Sequence, residues 1–321
     1  MIVEKTALLP VSADEAFALI TQPDRLRRWL AVSARVDLRA GGEFRWTLTP
    51  MAVAAGTVLE VDPGRRLVLG FGFDPSAEAR TDTVTITIEP ADGGTLVRLV
   101  HDGLPEEGSA DVLEGWTHFF DRLERAAVTG DAGPDEWAAA PAELTPLTSA
   151  NATLAVLQQV LRGIEEDDLT ASTPCSEFTV GQLEEHLLGS LRSLTGLAGG
   201  ALKPASAGVL ESRIADAAQQ ALETWMERGI EGTVQAGPQE LPAMIAASIL
   251  SVEFLVHAWD FASATGQKVG VSDEVATYVL GLAEQVVTPD QRESAGFHPA
   301  IAIAEDAPAL DRLVAFTGRA A

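Results

Sequence analysis

The stretch MIAASILSVEFLVH, residues 244–257, places a carboxylate and an imidazole, Glu253 and His257, inside a predominantly apolar run. A spacing of four residues brings both side chains onto one face of a helix. Because an unpaired charge is costly in apolar surroundings, this pair needs a partner. His186 lies on an earlier helical stretch, residues 180–189. Two imidazoles and a carboxylate that face the middle of a helical bundle predict a three-point metal site with open coordination positions.

The spacing alone would also fit a solvated pair on a helix surface, and the apolar surroundings are what favour metal binding. Neutral imidazole suits zinc, nickel and iron, so we expect a divalent metal, with zinc first and nickel or iron as alternatives. Asp260, three residues after His257, shares its helix face and is a candidate for orienting the ligand imidazole through a hydrogen bond. The alternative for Asp260 is an aspartate at the helix surface or one satisfied by packing.

The charge of the chain limits its classes of partner. The formal net charge is −25 over 321 residues, and 46% of the residues are hydrophobic, which suffices for ordinary cores. A surface of this sign repels nucleic-acid phosphates and anionic lipids. We therefore expect a small-molecule substrate or an apolar ligand as partner, and neither nucleic acid nor a membrane.

The beginning of the chain and its cysteine content bear on the cellular compartment. The first residues show no basic segment followed by an apolar stretch, so no secretory signal is expected. No run approaches ~18 consecutive apolar residues, so no membrane span is expected. The single cysteine, Cys175, permits no internal disulfide and fits a reducing compartment. These features predict a cytoplasmic protein.

The first half of the chain alternates short strand-like runs with turn signals. Gly-Gly and Asp-Gly pairs separate the runs, as in antiparallel hairpins. The clearest strand is Thr83–Ile88, in which every second residue is apolar. A short helix to about Ile20, another at 24–29 and a long amphipathic helix at 112–128 complete an α+β pattern. The predicted strands are 2–9, 35–38, 43–48, 55–61, 66–73, 81–89 and 95–101.

This half resembles the START-like polyketide cyclase superfamily, specifically the homologues of the heat-shock ATPase activator. The resemblance covers nearly all of residues 1–128 in order. The stretches that carry it are 11–17, 21–29, 39–44, 56–63, 66–68 and 115–116. It implies a helix-grip fold, in which a curved antiparallel sheet wraps around the long helix and leaves a ligand cavity between them.

Aromatic residues of this half are the candidates to line the implied cavity. The alternative is that they form an ordinary core, because aromatic side chains dominate most cores. His101 and His118 are candidates to place a polar group near the cavity. The aromatic candidates are Trp29, Trp46, Phe71, Phe73, Trp116 and Phe119.

The second half of the chain has the period of amphipathic helices. A segment rich in Gly, Pro and Ala, 131–146, precedes it and predicts a linker between domains 1–130 and 147–321. No strand is expected in this half apart from a short edge near 300–304. The predicted helices are 149–164, 180–197, 209–228, 241–265, 273–287 and 307–316.

This half resembles the DinB-like superfamily, in the branch of mycothiol-dependent maleylpyruvate isomerase. The stretches that carry the resemblance are 173–189, 253–262, 264–266 and 307–319. It implies an all-α four-helix bundle with extra C-terminal helices. The family's metal ligands are a histidine on the second helix and a Glu-x-x-x-His pair on the fourth. Those positions correspond to His186, Glu253 and His257 in this chain.

The resemblance implies an enzyme that uses a divalent metal and a thiol. A metal-bound thiol loses its proton and becomes a nucleophile. In this family the thiol is mycothiol, so we expect a transferase or isomerase that acts on a small electrophilic molecule. Two alternatives remain open. One is a non-catalytic protein that binds an apolar ligand and holds a structural metal, and the other is a protein with a co-chaperone-like role.

Overall fold

The computed structural model divides the chain into two compact units, Met1–Gly133 and Pro134–Ala321, called unit 1 and unit 2 below. The residues that it describes are 1–73, 82–175, 178–204, 208–288, 292 and 297–320. The predicted linker, 131–146, is divided between the units. The N–H of Ala132 donates to a carbonyl in unit 1. In unit 2 the same segment contains a helical turn and the first residue of a longer helix, Pro146.

Unit 1 combines an antiparallel sheet with helices. Its strands are β1 Ile2–Leu9, β2 Ser33–Val36, β3 Glu43–Thr49, β4 Ala52–Asp62, β5 Arg66–Phe73, β6 Asp82–Ala91 and β7 Gly94–Asp102. Its helices are α1 Ala13–Thr21, α2 Pro23–Leu26 and α3 Ser109–Thr129. In the described part of the unit, all neighbouring strands pair antiparallel, in the order β1-β7-β6-β5-β4-β3-β2.

Helix α3 closes the core of unit 1. The amphipathic helix predicted at 112–128 buries four large apolar side chains, which are those of Trp116, Phe119, Phe120 and Leu123. Burial of each such side chain stabilises the fold by about 1.5–3 kcal/mol. Ser12 starts α1 by accepting a hydrogen bond from the N–H of Glu15 at 3.2 Å. An antiparallel sheet packed against a long helix fits the helix-grip fold that the sequence predicts.

One strand of unit 1 is displaced from its predicted position, and another is only partly described. Strand β2 begins two residues before the predicted 35–38, because the hydroxyl of Ser33 donates to Thr47 and extends the pairing at that end. The N–H of Asp37 donates to the carbonyl of Glu43. The last two predicted residues, 37 and 38, therefore follow β2 instead of belonging to it. The sixth predicted strand starts at Thr81, which lies outside the described residues.

Unit 2 is mainly helical. Its helices are α4 Glu136–Ala139, α5 Pro146–Leu161, α6 Val180–Leu197, α7 Leu210–Arg228, α8 Ala243–Ala264, α9 Asp273–Val286 and α10 Ala309–Phe316. Helix α5 starts three residues before its prediction because Thr145 and Thr148 form a capping box and Pro146 occupies the first helical position. Helix α8 packs against α5, α6 and α9 and is the central helix of the unit.

The strand prediction for unit 2 is wrong. The structure contains a hairpin of β8 Thr233–Ala236 and β9 Gln239–Pro242, whereas residues 300–304 form no strand. The hairpin escaped prediction because each strand has four residues and only Val234 is buried, so no alternating pattern develops. Leu241 belongs to β9, which is why α8 begins two residues later than predicted.

Helix α8 is unusually apolar. By length and composition alone, Ala243–Ala264 would be able to cross a membrane, which the run-length criterion applied to the sequence did not predict. However, 72% of its most apolar window is buried inside the structure. Core helices of folded domains pass the same test, so the composition of α8 is only weak evidence for a span.

Candidate metal centre

The three predicted ligands come together in unit 2. His186 lies on α6 and Glu253 and His257 lie on α8. Helix α6 runs over the predicted residues, and Thr179 and Gln182 cap its start. One potential ligand atom from each of the three residues lies within 4.8 Å of the other two. The fold thus adds a third candidate ligand, from α6, to the pair on α8.

The hydrogen bond at Nδ1 of His257 determines what its other nitrogen can do. Nδ1 lies 3.0 Å from Oδ2 of Asp260. Because an ionised carboxylate only accepts, Nδ1 carries a proton and donates it. In a neutral ring, Nε2 then holds a lone pair, and this atom lies 3.3 Å from Oε2 of Glu253. That oxygen is buried and accepts no hydrogen bond from the described residues.

Two acceptor atoms that face each other this closely need a proton or a cation between them. Zinc bonds of ~2.1 Å in tetrahedral geometry would separate two ligand atoms by about 3.4 Å. The distance of 3.3 Å between Nε2 of His257 and Oε2 of Glu253 is close to that value. The residues present therefore fit a divalent cation in donor type and in spacing.

The charges around the pair shift its protonation. Burial lowers the pKa of His257, but the carboxylate of Asp260, bonded to Nδ1, and that of Glu253, which faces Nε2, outweigh burial and raise the pKa to about 9. Burial raises the pKa of Glu253, yet the contact with His257 and the nearby His186 hold it below its usual value. Without a metal, a proton on His257 would take the place of the cation.

The third ligand, His186, gives the site an open side. Its side chain is exposed, whereas His257 is buried and Glu253 is intermediate. The ring of Phe178 stacks on His186 at 5.0 Å between centroids. Although the side chain is exposed, the residues packed around its ring desolvate it in part and lower the pKa of His186, so the ring is neutral and able to bind a metal near pH 7. A ligand from solvent would reach the site along this side.

Asp260 and Arg319 form a layer behind the ligands. Asp260 is fully buried, so the alternative of a surface aspartate is wrong. The guanidinium of Arg319 donates from Nε to Oδ1 and from Nη2 to Oδ2 of Asp260, both at 2.7 Å. Sequence reasoning did not single out Arg319, although it lies at the end of 307–319, one of the stretches on which the resemblance noted for the second half rests. Its separation from Asp260 by 59 residues hides the contact from any local pattern.

Three of the aromatic candidates of unit 1 border a small cavity. A cavity of about 10 Å³ lies between the sheet and α3, which is room for about one water molecule. Of the six predicted lining residues, Trp29, Trp46 and Trp116 border this cavity. Phe71, Phe73 and Phe119 do not, and Phe71 instead packs against other rings of the core.

His101 is a buried histidine of a different kind. Nε1 of Trp116 donates a hydrogen bond to its Nδ1 at 3.1 Å. Its Nε2 lies 3.6 Å from Oδ2 of Asp82. Burial lowers the pKa of His101, and the attraction of Asp82 offsets this only in part. The ring is therefore neutral at pH 7 and belongs to the aromatic core.

Comparison with known proteins finds relatives for both parts of the chain. An uncharacterized protein of Mycobacterium tuberculosis, Rv0738, is 28% identical over 179 residues, which are 55% of this chain and 98% of that protein. Because unit 1 ends at Gly133, this match includes part of unit 2.

Solved structures also match part of the chain. DynU16, from the dynemicin biosynthetic locus, is 20% identical with a TM-score of 0.38, over 54% of this chain and 62% of that one. CalU16 from Micromonospora echinospora is 26% identical with a TM-score of 0.33, over 40% of this chain and 76% of that one. TM-scores this low support no argument about function.

A family model identifies the type of unit 1. Residues 10–127 match the model described as Activator of Hsp90 ATPase homolog 1-like protein. The matched range runs from the end of β1 almost to the end of α3, so it includes most of the sheet and the long helix. The chain therefore carries an Activator of Hsp90 ATPase homolog 1-like domain, of START and polyketide cyclase type, at its N-terminal end.

Proposed function

We propose that unit 2 is a DinB-like four-helix bundle with extra C-terminal helices and that it works as a metal-dependent enzyme. His186, Glu253 and His257 hold one divalent cation, with zinc first and nickel or iron as alternatives. The reaction is the transfer or isomerisation of a small electrophilic molecule with the help of a thiol. Mycothiol is that thiol in the family which unit 2 resembles.

One observation carries this proposal. Nε2 of His257 and Oε2 of Glu253 face each other at 3.3 Å, and Nδ1 of the same histidine is already bonded to Asp260. The facing oxygen is buried and accepts no hydrogen bond from any described residue. While His257 is neutral, this buried acceptor has no donor, which is costly, and either a proton on Nε2 or a cation that binds both atoms removes that cost.

The chain's own residues have separate tasks in the proposed reaction. Glu253 supplies the one negative charge of the ligand set and offsets part of the charge of the cation. His186 borders the open side, where substrate would enter, and Asp260 keeps the ring of His257 oriented. When bound, a divalent cation lowers the pKa of a coordinated thiol or water and so supplies a nucleophile near neutral pH.

Metal content tests the first half of the proposal. The purified protein, dialysed after exposure to zinc, is expected to hold one equivalent by elemental analysis. Glu253→Gln and His186→Ala are expected to reduce this to a small fraction. Glu185→Gln is the matched control, since Glu185 is exposed and directly precedes His186. Full zinc content in both ligand variants would overturn the site.

Turnover tests the catalytic part of the proposal. The zinc-loaded protein is mixed with a panel of electrophiles, including activated alkenes, epoxides and cis-unsaturated acids, with and without mycothiol. We expect conversion of at least one of them that needs both the thiol and the metal, and that Glu253→Gln abolishes. Conversion that is equal in the variant and the wild type would show that the ligand set has no part in the chemistry.

A second candidate function concerns unit 1. Nε1 of Trp46 is buried and has no hydrogen-bond partner among the described residues, and Trp46 borders the cavity between sheet and α3. An apolar ligand with one acceptor group would satisfy this N–H, provided that the cavity expands from about 10 Å³. A saturable change in tryptophan fluorescence with fatty acids or flat polyphenols, lost in Trp46→Phe, would support it. No change with either ligand class would rule it out.

A further inference from the structure

The end of helix α10 is shaped to deliver one side chain to the metal centre. The N–H of Gly318 donates to the carbonyl of Ala315, and the N–H of Arg319 donates to that of Val314. These two bonds form a Schellman motif, with Gly318 in the left-handed region at φ 86°. A Cβ at this glycine would lie 2.6 Å from Cβ of His298, so only glycine fits. The chain therefore turns where no other residue would allow it, and Arg319 follows the turn.

Arg319 is held by two sets of bonds. Its Nε and Nη2 bind the two carboxylate oxygens of Asp260, and its Nη1 lies 3.4 Å from the carbonyl of Thr317. The same Oδ2 of Asp260 that accepts from Nη2 also accepts from Nδ1 of His257. A bidentate guanidinium fixes the plane of the carboxylate, and the carboxylate fixes the ring and the tautomer of the histidine.

We propose that Arg319 is a positioning residue for the metal centre, so that docking of the C-terminal helix α10 and binding of the cation strengthen each other. The inference rests on the proposed metal site. The Arg319–Asp260 pair keeps the proton of His257 on Nδ1 and its Nε2 lone pair directed at the cation. By thermodynamic linkage, a cation held through Asp260 also holds Arg319, and with it the turn after α10.

The test measures zinc affinity by competition with a chromophoric chelator. Arg319→Met is expected to weaken zinc binding by about 10- to 100-fold, as removal of outer partners of ligating histidines does. Arg319→Lys keeps the charge without the planar fork and is expected to fall in between. An arginine that acted through its charge alone would give the opposite sign, since removing a positive charge favours a nearby cation. Tighter or unchanged binding in Arg319→Met therefore overturns the inference.

Matched controls separate positioning from general damage. Arg228 lies at the end of α7 and hydrogen-bonds to carbonyls of the following residues, so Arg228→Met should leave zinc affinity unchanged. Gly318→Ala disturbs the turn without touching a site residue and should weaken zinc binding. Gly270→Ala is its control, because nothing lies within 4 Å of the added Cβ. Equal zinc affinity in both glycine variants would contradict the coupling.

Hydrogen exchange measured on the wild-type protein tests the coupling between α10 and the cation even if Arg319→Met fails to fold. Zinc is expected to slow exchange of the N–H groups of Gly318 and Arg319 by at least tenfold, and to leave those of β8 unchanged. No protection at the turn would overturn the inference. A wild-type protein that binds no zinc at all would overturn the proposed function instead, so the two failures are distinguishable. With Co²⁺ as probe, Arg319→Lys should retain the visible absorption bands and Arg319→Met should shift them.

Discussion

Each unit of the protein buries one histidine, and the two rings differ in what lies against Nδ1. In unit 1, Nδ1 of His101 accepts a hydrogen bond from Trp116. In unit 2, Nδ1 of His257 donates one to Asp260. The neutral ring of His101 therefore carries its proton on Nε2 and has no lone pair left for a cation. The neutral ring of His257 has its Nε2 lone pair free, so the partner of one nitrogen determines the use of the other.

The surroundings of the two rings also differ. The ring of His101 packs against Phe71 at 5.1 Å between centroids, inside an aromatic core with a cavity of about 10 Å³. The ring of His257 lies between Glu253 and Asp260 on a helix that is otherwise apolar. Burial alone does not distinguish the two. The charged side chains beside the ring do distinguish them, because His257 lies between two carboxylates on the same helix face.

The largest expected effect comes from breaking the charged layer of unit 2. Asp260→Asn removes the charge that compensates the buried Arg319, and loss of one partner of a buried ion pair costs about 3–5 kcal/mol. Urea unfolding of the metal-free protein should show this loss in the transition of unit 2. A loss below ~1 kcal/mol would mean that water or other groups compensate the guanidinium.

A smaller effect is expected in the aromatic core of unit 1. Trp116→Phe removes the donor to His101 and leaves a buried Nδ1 without its hydrogen bond, at a cost of about 1–3 kcal/mol. Trp137→Phe is the control, because that side chain is 40% exposed. Equal unfolding free energies for the two variants would show that the hydrogen bond does not hold α3 to the sheet.

The stabilities of the two units are expected to change with pH in opposite directions. The pKa of His257 is raised from 6.5 to about 9, so the stability it contributes to unit 2 is complete below pH 6.5 and is lost as pH rises toward 9. The pKa of His101 is lowered, so the unfolded state takes up its proton first and unit 1 loses stability as pH falls below 6.5. Each slope is at most about 1.4 kcal/mol per pH unit.

Unfolding of the metal-free protein in urea between pH 5 and 9.5 measures both slopes. Saturating zinc provides the control. A cation that takes the place of the proton should prevent the loss of stability of unit 2 above pH 6.5. The same sign of slope for both units would contradict the opposite directions of the two pKa shifts.

The smallest effect is expected from an exposed ion pair. Arg98 binds Glu4 at 2.9 Å across β7 and β1, with both side chains half-exposed. Glu4→Gln should leave the midpoint of thermal unfolding almost unchanged, since water screens exposed pairs. Thermal unfolding at low and high salt measures it. A loss as large as that of Asp260→Asn would show that distance, and not burial, sets the strength of these pairs.

Local signals predicted some elements to the residue. Strands Ile2–Leu9 and Arg66–Phe73 and helix Val180–Leu197 match their predictions, because turns or a capping box bound them clearly. The start of α5 was missed because Thr145 and Thr148 cap each other, which is not the common serine–glutamate pattern.

Helix periodicity predicted only the part of the candidate site that lies on α8. Spacing places Glu253, His257 and Asp260 on one face of α8, and the structure agrees with that arrangement. His186 and Arg319 come from other elements, and their approach depends on how the helices pack. The helical pattern around His186 and a resemblance to a family both pointed to that residue, whereas Arg319 required coordinates.

The tightness of the unit 1 core has a consequence under hydrostatic pressure. Pressure unfolds proteins largely by eliminating internal voids, and the volume decrease on unfolding scales with the voids lost. The cavity between sheet and α3, at about 10 Å³, contributes almost nothing to that decrease. Replacing a bordering side chain by a smaller one, as in Leu123→Ala, should therefore make the midpoint pressure of unit 1 fall steeply.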